Sequence, residues 1–419
     1  MDRIKKRKTT ESPSESPSAQ VKKLRMNFRL PKLSESRLWR FFLTIGRKTR
    51  SLFLLSILSF VLMLILLIWV LASQAKSGLK GQLQATPSSH QRMALVESES
   101  ESIYPFAASY LLRVNTDQVS LLSNDGHEEL STAISCASPI VRSNSKYALV
   151  FDLNGHRYYL FDRNGLVYQG QCPDPISFAS VSNYGHVALI MENGSTRGIL
   201  RIMDPEGLHL FDYEVRERKE SGYILACNFT SDGQYLDLSM FNTDGVDTFP
   251  MINRFDLLAS KRSAVYSCDT DEALPLLCEG SDNQLIAIGN HSVYRLFGDQ
   301  MNLWLQFADI KQALSNGDGL VLLAADSVKG EPRLVYKTFD SDLGTFGMAD
   351  LNSISVGAEP SLLTCNGQYA AVVDDRLVYR VRLSDLSVEK FEQSSNVLKL
   401  QLDEEGHLTV ITKQAVLVY

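Results

Sequence analysis

Residues 147–168 read YALVFDLNGHRYYLFDRNGLVY, and this stretch decides the fold. Three apolar runs follow one another within it, namely Tyr147–Leu153, Arg157–Asp162 and Leu166–Tyr168, and the last two are separated by the turn Asn164-Gly165. Short runs rich in Val, Leu, Tyr and Phe, bounded by Asx-Gly dipeptides, are typical of β-strands joined by tight turns. The stretch therefore predicts three consecutive antiparallel strands.

The same unit recurs along the chain. A second copy combines Val187–Met191 with Gly198–Asp204, and a third runs from Ser231–Leu238 to Ile252–Leu257. The equivalent strand begins near Tyr110, Tyr147, Val187, Tyr235, Leu285, Leu320, Tyr369 and Leu408. The intervals of 35 to 50 residues suit four-stranded propeller blades, whose usual period is about 40–50 residues.

These repeats predict an all-β domain, a β-propeller of seven or eight blades. The last copy ends at Tyr419 without an outer strand. An N-terminal strand from Met93–Val96 or from Ile103–Phe106 would complete that blade and close the ring, which protects the sheet edges. An array of β-sandwiches is the alternative fold.

An uninterrupted apolar segment precedes the repeats. Leu52–Ala72 contains 21 residues without a charge, Pro or Gly. As a helix it would be about 31 Å long, which is enough to cross the hydrocarbon core of a bilayer. We interpret it as a transmembrane helix. A cleaved signal peptide ending near Ser73–Ala75 and a buried helix of a soluble domain are the alternatives.

Charge is divided sharply by this segment. Residues 1–50 carry 15 Lys/Arg and 4 Asp/Glu, whereas residues 51–419 carry 27 and 44, so the net charges are +11 and −17. The excess of positive charge on the N-terminal side predicts a cytoplasmic N-terminus and an extracytoplasmic C-terminal domain.

Composition and charge together predict four regions. Residues 1–50 form a basic cytoplasmic tail that is largely disordered, because it is rich in Lys, Arg, Ser and Pro. A single transmembrane helix spans residues 51–73. Residues 74–103 form an extracytoplasmic linker rich in Ser, Gln and Glu, and residues 104–419 form the propeller.

No catalytic or metal-binding motif is evident. His127-Glu128-Glu129 lacks a second His at metal-ligand spacing and is interpreted as a solvated turn. Asn242, Asp244 and Asp247 surround Gly245 and are interpreted as an Asx-Gly turn rather than a Ca²⁺ loop. We therefore predict no catalytic, cofactor or metal site residues and no cofactor. Enzymatic activity stays uncertain, with a binding role favoured.

Six cysteines lie C-terminal to the apolar segment, at positions 136, 172, 227, 268, 278 and 365. An exported domain with six cysteines allows up to three disulfides, and Cys268–Cys278 is the pair to test first. Cys227, Cys278 and Cys365 each follow apolar residues and precede a turn, which predicts buried inner strands of separate blades. We favour mostly free thiols that pack as small apolar groups.

These features resemble a β-propeller family of single-pass membrane proteins from Gram-positive bacteria that is catalogued as a domain of unknown function. The resemblance is carried by the basic tail, the single span, Tyr110–Asn115 with Val119–Gly126, and the copy at 147–168. The repeats are also similar to WD40 and quinoprotein-type repeats, although no Trp-Asp dipeptide occurs and Trp304 is the only Trp after residue 103. The resemblance implies a fold and a topology but no activity.

The favoured function is a membrane-anchored, non-catalytic binding or scaffold module at the cell envelope. Its expected partners are the membrane, crossed once, and an envelope protein or glycan. Nucleic acid is not expected, because the outer domain is acidic. The alternatives are a single-span signal transducer that couples an outer ligand to the basic tail, and a propeller enzyme that acts on envelope glycans or peptides.

Overall fold

The structure is a computed structural model that describes Met63 and residues 90–107, 110–123, 125–216, 222–243, 247–281, 284–339 and 344–419. Apart from Met63, the predicted tail at 1–50 and the predicted spanning helix at 51–73 lie outside these residues. Within the described part of the chain, no helix has the length and apolar character needed to cross a membrane.

Eight four-stranded antiparallel sheets are formed by the 32 strands of the described residues. Each sheet is one blade, and contacts join the innermost strands of neighbouring blades. The innermost strands are β2 Ile103–Phe106, β6 Pro139–Ser143, β10 Ile176–Val181, β14 Tyr223–Phe229, β18 Leu276–Glu279, β22 Asp309–Ser315, β26 Ser361–Cys365 and β30 Val397–Leu402. The prediction of a propeller is thus confirmed, with eight blades.

The second and third strands of each blade carry most of the apolar sequence. The second strands are β3 Tyr110–Val114, β7 Ala148–Asp152, β11 Val187–Met191, β15 Tyr235–Asn242, β19 Leu285–Ile288, β23 Gly319–Ala325, β27 Tyr369–Asp374 and β31 Leu408–Thr412. The third strands are β4 Gln118–Leu122, β8 Arg157–Asp162, β12 Ile199–Met203, β16 Phe249–Asp256, β20 Ser292–Phe297, β24 Arg333–Thr338, β28 Leu377–Arg382 and β32 Ala415–Val418.

The outermost strands contain fewer apolar residues than the second and third strands. They are β5 Glu128–Ala133, β9 Gly165–Gln171, β13 His209–Glu214, β17 Lys261–Ser267, β21 Gln300–Gln306, β25 Ser353–Ser355, β29 Val388–Glu392 and, from the N-terminus, β1 His90–Ala94. Two short 3-10 helices lie at Ser100–Ser102 and Met348–Asp350.

The hydrophobic core lies between neighbouring blades. In β7, Leu149 packs with Leu189 of blade 3, whereas Val150 packs with Leu112 of blade 1. Alternate side chains of a strand point to opposite faces of its sheet, so both faces of β7 are buried. This two-sided burial explains why the second strands are predominantly apolar and can be predicted from the sequence.

The ring is closed by strands from both ends of the described chain. β1 pairs antiparallel with β32, from His90 opposite Val418 to Ala94 opposite Ala415. The closing strand therefore overlaps the predicted Met93–Val96 but starts earlier, inside the segment predicted to be linker. The other candidate, Ile103–Phe106, is instead the innermost strand of blade 1.

Buried side chains hold the two ends of this closure together. Ile103 and Leu111 of blade 1 pack against Ile411 and Val416 of blade 8. Lys399 of β30 adds a polar contact, since its Nζ donates to the carbonyl oxygens of Glu101 at 2.6 Å and Ile103 at 2.5 Å. The same ammonium lies 3.3 Å from the centroid of the Tyr104 ring.

Candidate functional site

The innermost strands end in short turns that lie on one face of the propeller, because every blade repeats the same four-stranded meander. We call this the turn face; it includes the turns 144–147, 182–186, 230–235 and 366–369. Each turn is closed by a backbone bond, such as Asn144 N to Tyr147 O at 3.0 Å or Ser182 N to His186 O at 2.9 Å.

Side chains at the ends of the inner strands fix these turns and connect neighbouring blades. Asn144 accepts bonds from the amides of Lys146 and Tyr147, and its Nδ2 donates to Ser182 O of the next blade at 3.1 Å. Asn366 does the same in blade 7 and donates to Asp403 O at 2.7 Å. The turn face is therefore a preorganised surface held by hydrogen bonds within and between blades.

A pocket of about 420 Å³ opens where the inner strands of blades 2 to 5 end. We call it the inner-strand pocket. Ten of its fifteen lining residues are polar or charged. The lining is formed by Arg142, Ser143, Asn144, Phe178, Ala179, Ser180, Val181, Ser182, Asn183, Cys227, Asn228, Phe229, Thr230, Ser231 and Glu279. The volume lies within the range of about 300–1,000 Å³ that is typical of small-molecule sites.

Glu279, the last residue of β18, supplies the pocket's carboxylate. Its Oε2 accepts a hydrogen bond from the Ser231 amide of blade 4, and its backbone oxygen accepts one from Ser315 Oγ at 2.6 Å. Its Oε1 is buried and has no hydrogen-bond donor among the described residues. Burial raises the pKa of Glu279, and the nearby carboxylates of Asp232 and Asp237 raise it further.

Arg142, near the end of β6, supplies the pocket's cation. Its guanidinium lies 5.5 Å from the centroid of the Phe178 ring in the neighbouring blade. Among the described residues, no carboxylate forms an ion pair with Arg142. The pocket thus has a positive group on blade 2 and a negative group on blade 5, with hydroxyl and amide side chains between them.

A second cleft lies further out, between blades 3 and 4. It also measures about 420 Å³ and is lined in part by His186, Asp204, Tyr235 and Leu258. Burial lowers the pKa of His186, and Leu258 at the tip of a turn is 97% exposed. An exposed apolar tip beside a cleft suits a protein contact, but this cleft lacks the paired opposite charges of the inner-strand pocket.

The six cysteines are all free thiols, and no bond joins Cys268 to Cys278. Cys227, Cys278 and Cys365 lie on innermost strands of three blades, as predicted from the sequence. Burial raises the pKa of Cys227, Cys268 and Cys278 to about 12. These thiols are therefore protonated at neutral pH and pack as small apolar groups.

Three side chains in the turn between β30 and β31 lie close enough to share a cation, namely Asp403, Glu405 and His407. The Asp403 carboxylate already accepts the amides of Glu405 and His407 and contacts His407 Nδ1 at 2.9 Å. This arrangement is a hydrogen-bonded Asx turn. Glu128 and Glu129, interpreted from the sequence as part of a turn, instead begin the outer strand β5, where Glu128 pairs with Arg113. Asp244 of the other candidate turn lies outside the described residues.

The sequence predicted no site residues, and the inner-strand pocket was missed. Arg142 and Glu279 are single charged residues near the ends of otherwise apolar strands, PIVRS and LLCE. A charged residue at the end of an inner strand could have marked the pocket. However, the sequence alone also allows such a residue to be part of the solvated turn that follows.

Comparison with known proteins identifies a family and a fold. The model of a family of unknown function, DUF5711, matches residues 86–316. No curated protein matches the chain.

Two solved structures are similar to this chain at low sequence identity. The C-terminal WD40 domain of Sif2 is 11% identical with a TM-score of 0.52, covering 79% of this chain and 97% of that one. Sqt1 of Chaetomium thermophilum, bound to the N-terminus of ribosomal protein L10, is 10% identical with a TM-score of 0.51, covering 79% and 100%. At this identity the similarity establishes the propeller fold alone.

Proposed function

Because this chain belongs to DUF5711, a family of unknown function, we propose its role from its own site: a membrane-anchored, extracytoplasmic binding or scaffold module. The observation that carries the proposal is the inner-strand pocket, a concave polar site on a face whose turns are fixed by hydrogen bonds. Rigid scaffolds that present short loops on one face are well suited to binding. The uncharged segment Leu52–Ala72 supports anchoring by one span, as in the Gram-positive membrane family that the sequence resembles.

The binding role is tested by capture of partners from envelope extracts with the full chain in detergent. Ser180 lines the inner-strand pocket, so Ser180→Trp should fill it and reduce capture of a saturable partner at least tenfold. Ser355→Trp, on the exposed outer strand of blade 6, is the matched control and should capture normally. Equal capture by both variants, or no saturable partner with the unaltered chain, would contradict the proposal.

The orientation is tested by thiol labelling of intact cells with a membrane-impermeant maleimide. The native cysteines should react slowly, since burial raises the pKa of each thiol. We expect Ser77→Cys, C-terminal to the apolar segment, to be labelled in intact cells. Ser16→Cys, in the basic tail, should be labelled only after lysis. The reverse pattern would refute the proposed topology.

A further inference from the structure

Among the described residues, neither charged group of the inner-strand pocket forms an ion pair, in contrast to several arginines on other strands. Arg201 pairs with Asp212 at 2.7 Å, and Arg254 pairs with Asp237 at 2.7 Å. Arg113 and Arg380 also have carboxylate partners. Other arginines without a carboxylate, such as Arg157 and Arg333, donate to backbone or hydroxyl oxygens, whereas Arg142 lies over a ring and lines a pocket that also contains a carboxylate.

Glu279 is the negative group of the same pocket. The guanidinium of Arg254, which interacts electrostatically with Glu279, donates both Nε and Nη2 to Asp237 at 2.7 Å. Glu279 therefore adds a further negative charge near an ion pair that is already complete. Its carboxylate accepts hydrogen bonds from Ser231, while Oε1 has no donor among the described residues. A carboxylate oxygen buried without a donor is costly unless a ligand supplies one.

Blades 3 and 4 form the wall between the two charges. Ser180 and Asn228 contribute hydroxyl and amide groups to this wall, and Phe178 contributes an apolar surface beneath Arg142. Groups of this kind form hydrogen bonds with the amides of a peptide backbone. A neutral glycan would use the hydroxyl and amide groups but would leave both charges unpaired.

We propose that the inner-strand pocket binds a short peptide through both of its free ends, with the terminal ammonium at Glu279 and the terminal carboxylate at Arg142. The peptide supplies an N–H donor for Glu279 and a planar acceptor that a guanidinium can bind with two hydrogen bonds. This inference rests on the proposed binding function and names the ligand class of the same site.

The experiment is isothermal titration of the full chain in detergent with trialanine, N-acetyl-trialanine and trialanine amide. Trialanine with free ends is expected to bind, and each cap should weaken binding at least tenfold, because each removes one charge-assisted contact. Binding of the three peptides with equal affinity, or no binding of trialanine, would overturn the proposal.

Variants assign each end of the peptide to its residue. Glu279→Gln should abolish the effect of N-acetylation but keep that of amidation, and Arg142→Gln should do the opposite. The control variants are Glu206→Gln and Arg163→Gln, which change residues of the turn face outside the pocket. They should leave the effects of both caps unchanged. Equal thermal melting midpoints would show that the pocket variants fold. Unchanged sensitivity to both caps in the pocket variants would refute the assignment.

The outcomes separate this inference from the proposed function. If the full chain captures an envelope partner and Ser180→Trp does not, but trialanine fails to bind, then the peptide proposal is wrong and the binding function stands. If neither capture nor peptide binding occurs, both are wrong.

Discussion

Replacing Arg254 with methionine is expected to lower the free energy of unfolding by about 3–5 kcal/mol, because it leaves the Asp237 carboxylate buried and unpaired. The side chains of Arg254 and Asp237 are only 12% and 5% exposed. They face each other across β15 and β16, and the guanidinium also lies near the rings of Tyr235 and Tyr266. The measurement is urea unfolding of the full chain in detergent.

Two matched variants show whether burial is the cause. Arg201 and Asp212 form the same two-bond pair across β12 and β13, but their side chains are 21% and 30% exposed. Arg201→Met should therefore cost about 1 kcal/mol or less. The double variant Asp237→Leu/Arg254→Met should recover most of the lost stability, since it removes both charges together. Equal losses for Arg254→Met and Arg201→Met would refute the argument.

The repeat could be predicted because its strongest signal lies in the second strands. Six of the eight predicted strand starts, such as Tyr110 and Val187, coincide with observed ones, and Tyr147 and Leu320 differ by one residue. These strands are buried on both faces, so they are predominantly apolar, and polar residues such as Asp237 in β15 interrupt them only occasionally. Strand ends depend on turn hydrogen bonds, such as those of Asn144, which composition reflects only weakly.

The closing strand and the pocket were harder to predict from the sequence than the second strands. β1 lies in a polar context, and its last predicted residue, Val96, is instead 64% exposed beyond the strand end. Its role depends on pairing with β32, a contact between distant parts of the chain. Arg142 and Glu279 are likewise far apart in sequence. Only the stacking of blades 2 to 5 brings both to one pocket, and a single sequence contains no signal for that contact.

Replacing Lys399 with methionine is expected to lower the free energy of unfolding by about 1–2 kcal/mol at pH 7, because the loss of two hydrogen bonds is only partly offset by no longer burying a charge. Lys399 joins blade 8 to the start of blade 1 through the carbonyl oxygens of Glu101 and Ile103. Methionine keeps the length and much of the packing of the side chain. Lys390→Met is the control, since Lys390 also lies over an aromatic ring, 5.1 Å from that of Tyr379, but is exposed. It should cost less than about 1 kcal/mol.

The pH dependence of the stability lost in Lys399→Met distinguishes a buried amine from one that is merely well packed. Burial lowers the pKa of Lys399 from 10.5 to about 8 in the folded chain. Between these two pH values the unfolded chain binds the proton more often than the folded chain, so stability rises with pH. The stability difference between the unaltered chain and Lys399→Met should therefore grow as the pH is raised from 8 to 10.5. Well below pH 8 it should be constant, because the amine is then charged in both states. A difference that is flat across this range would show that the closure of the ring does not bury the Lys399 amine.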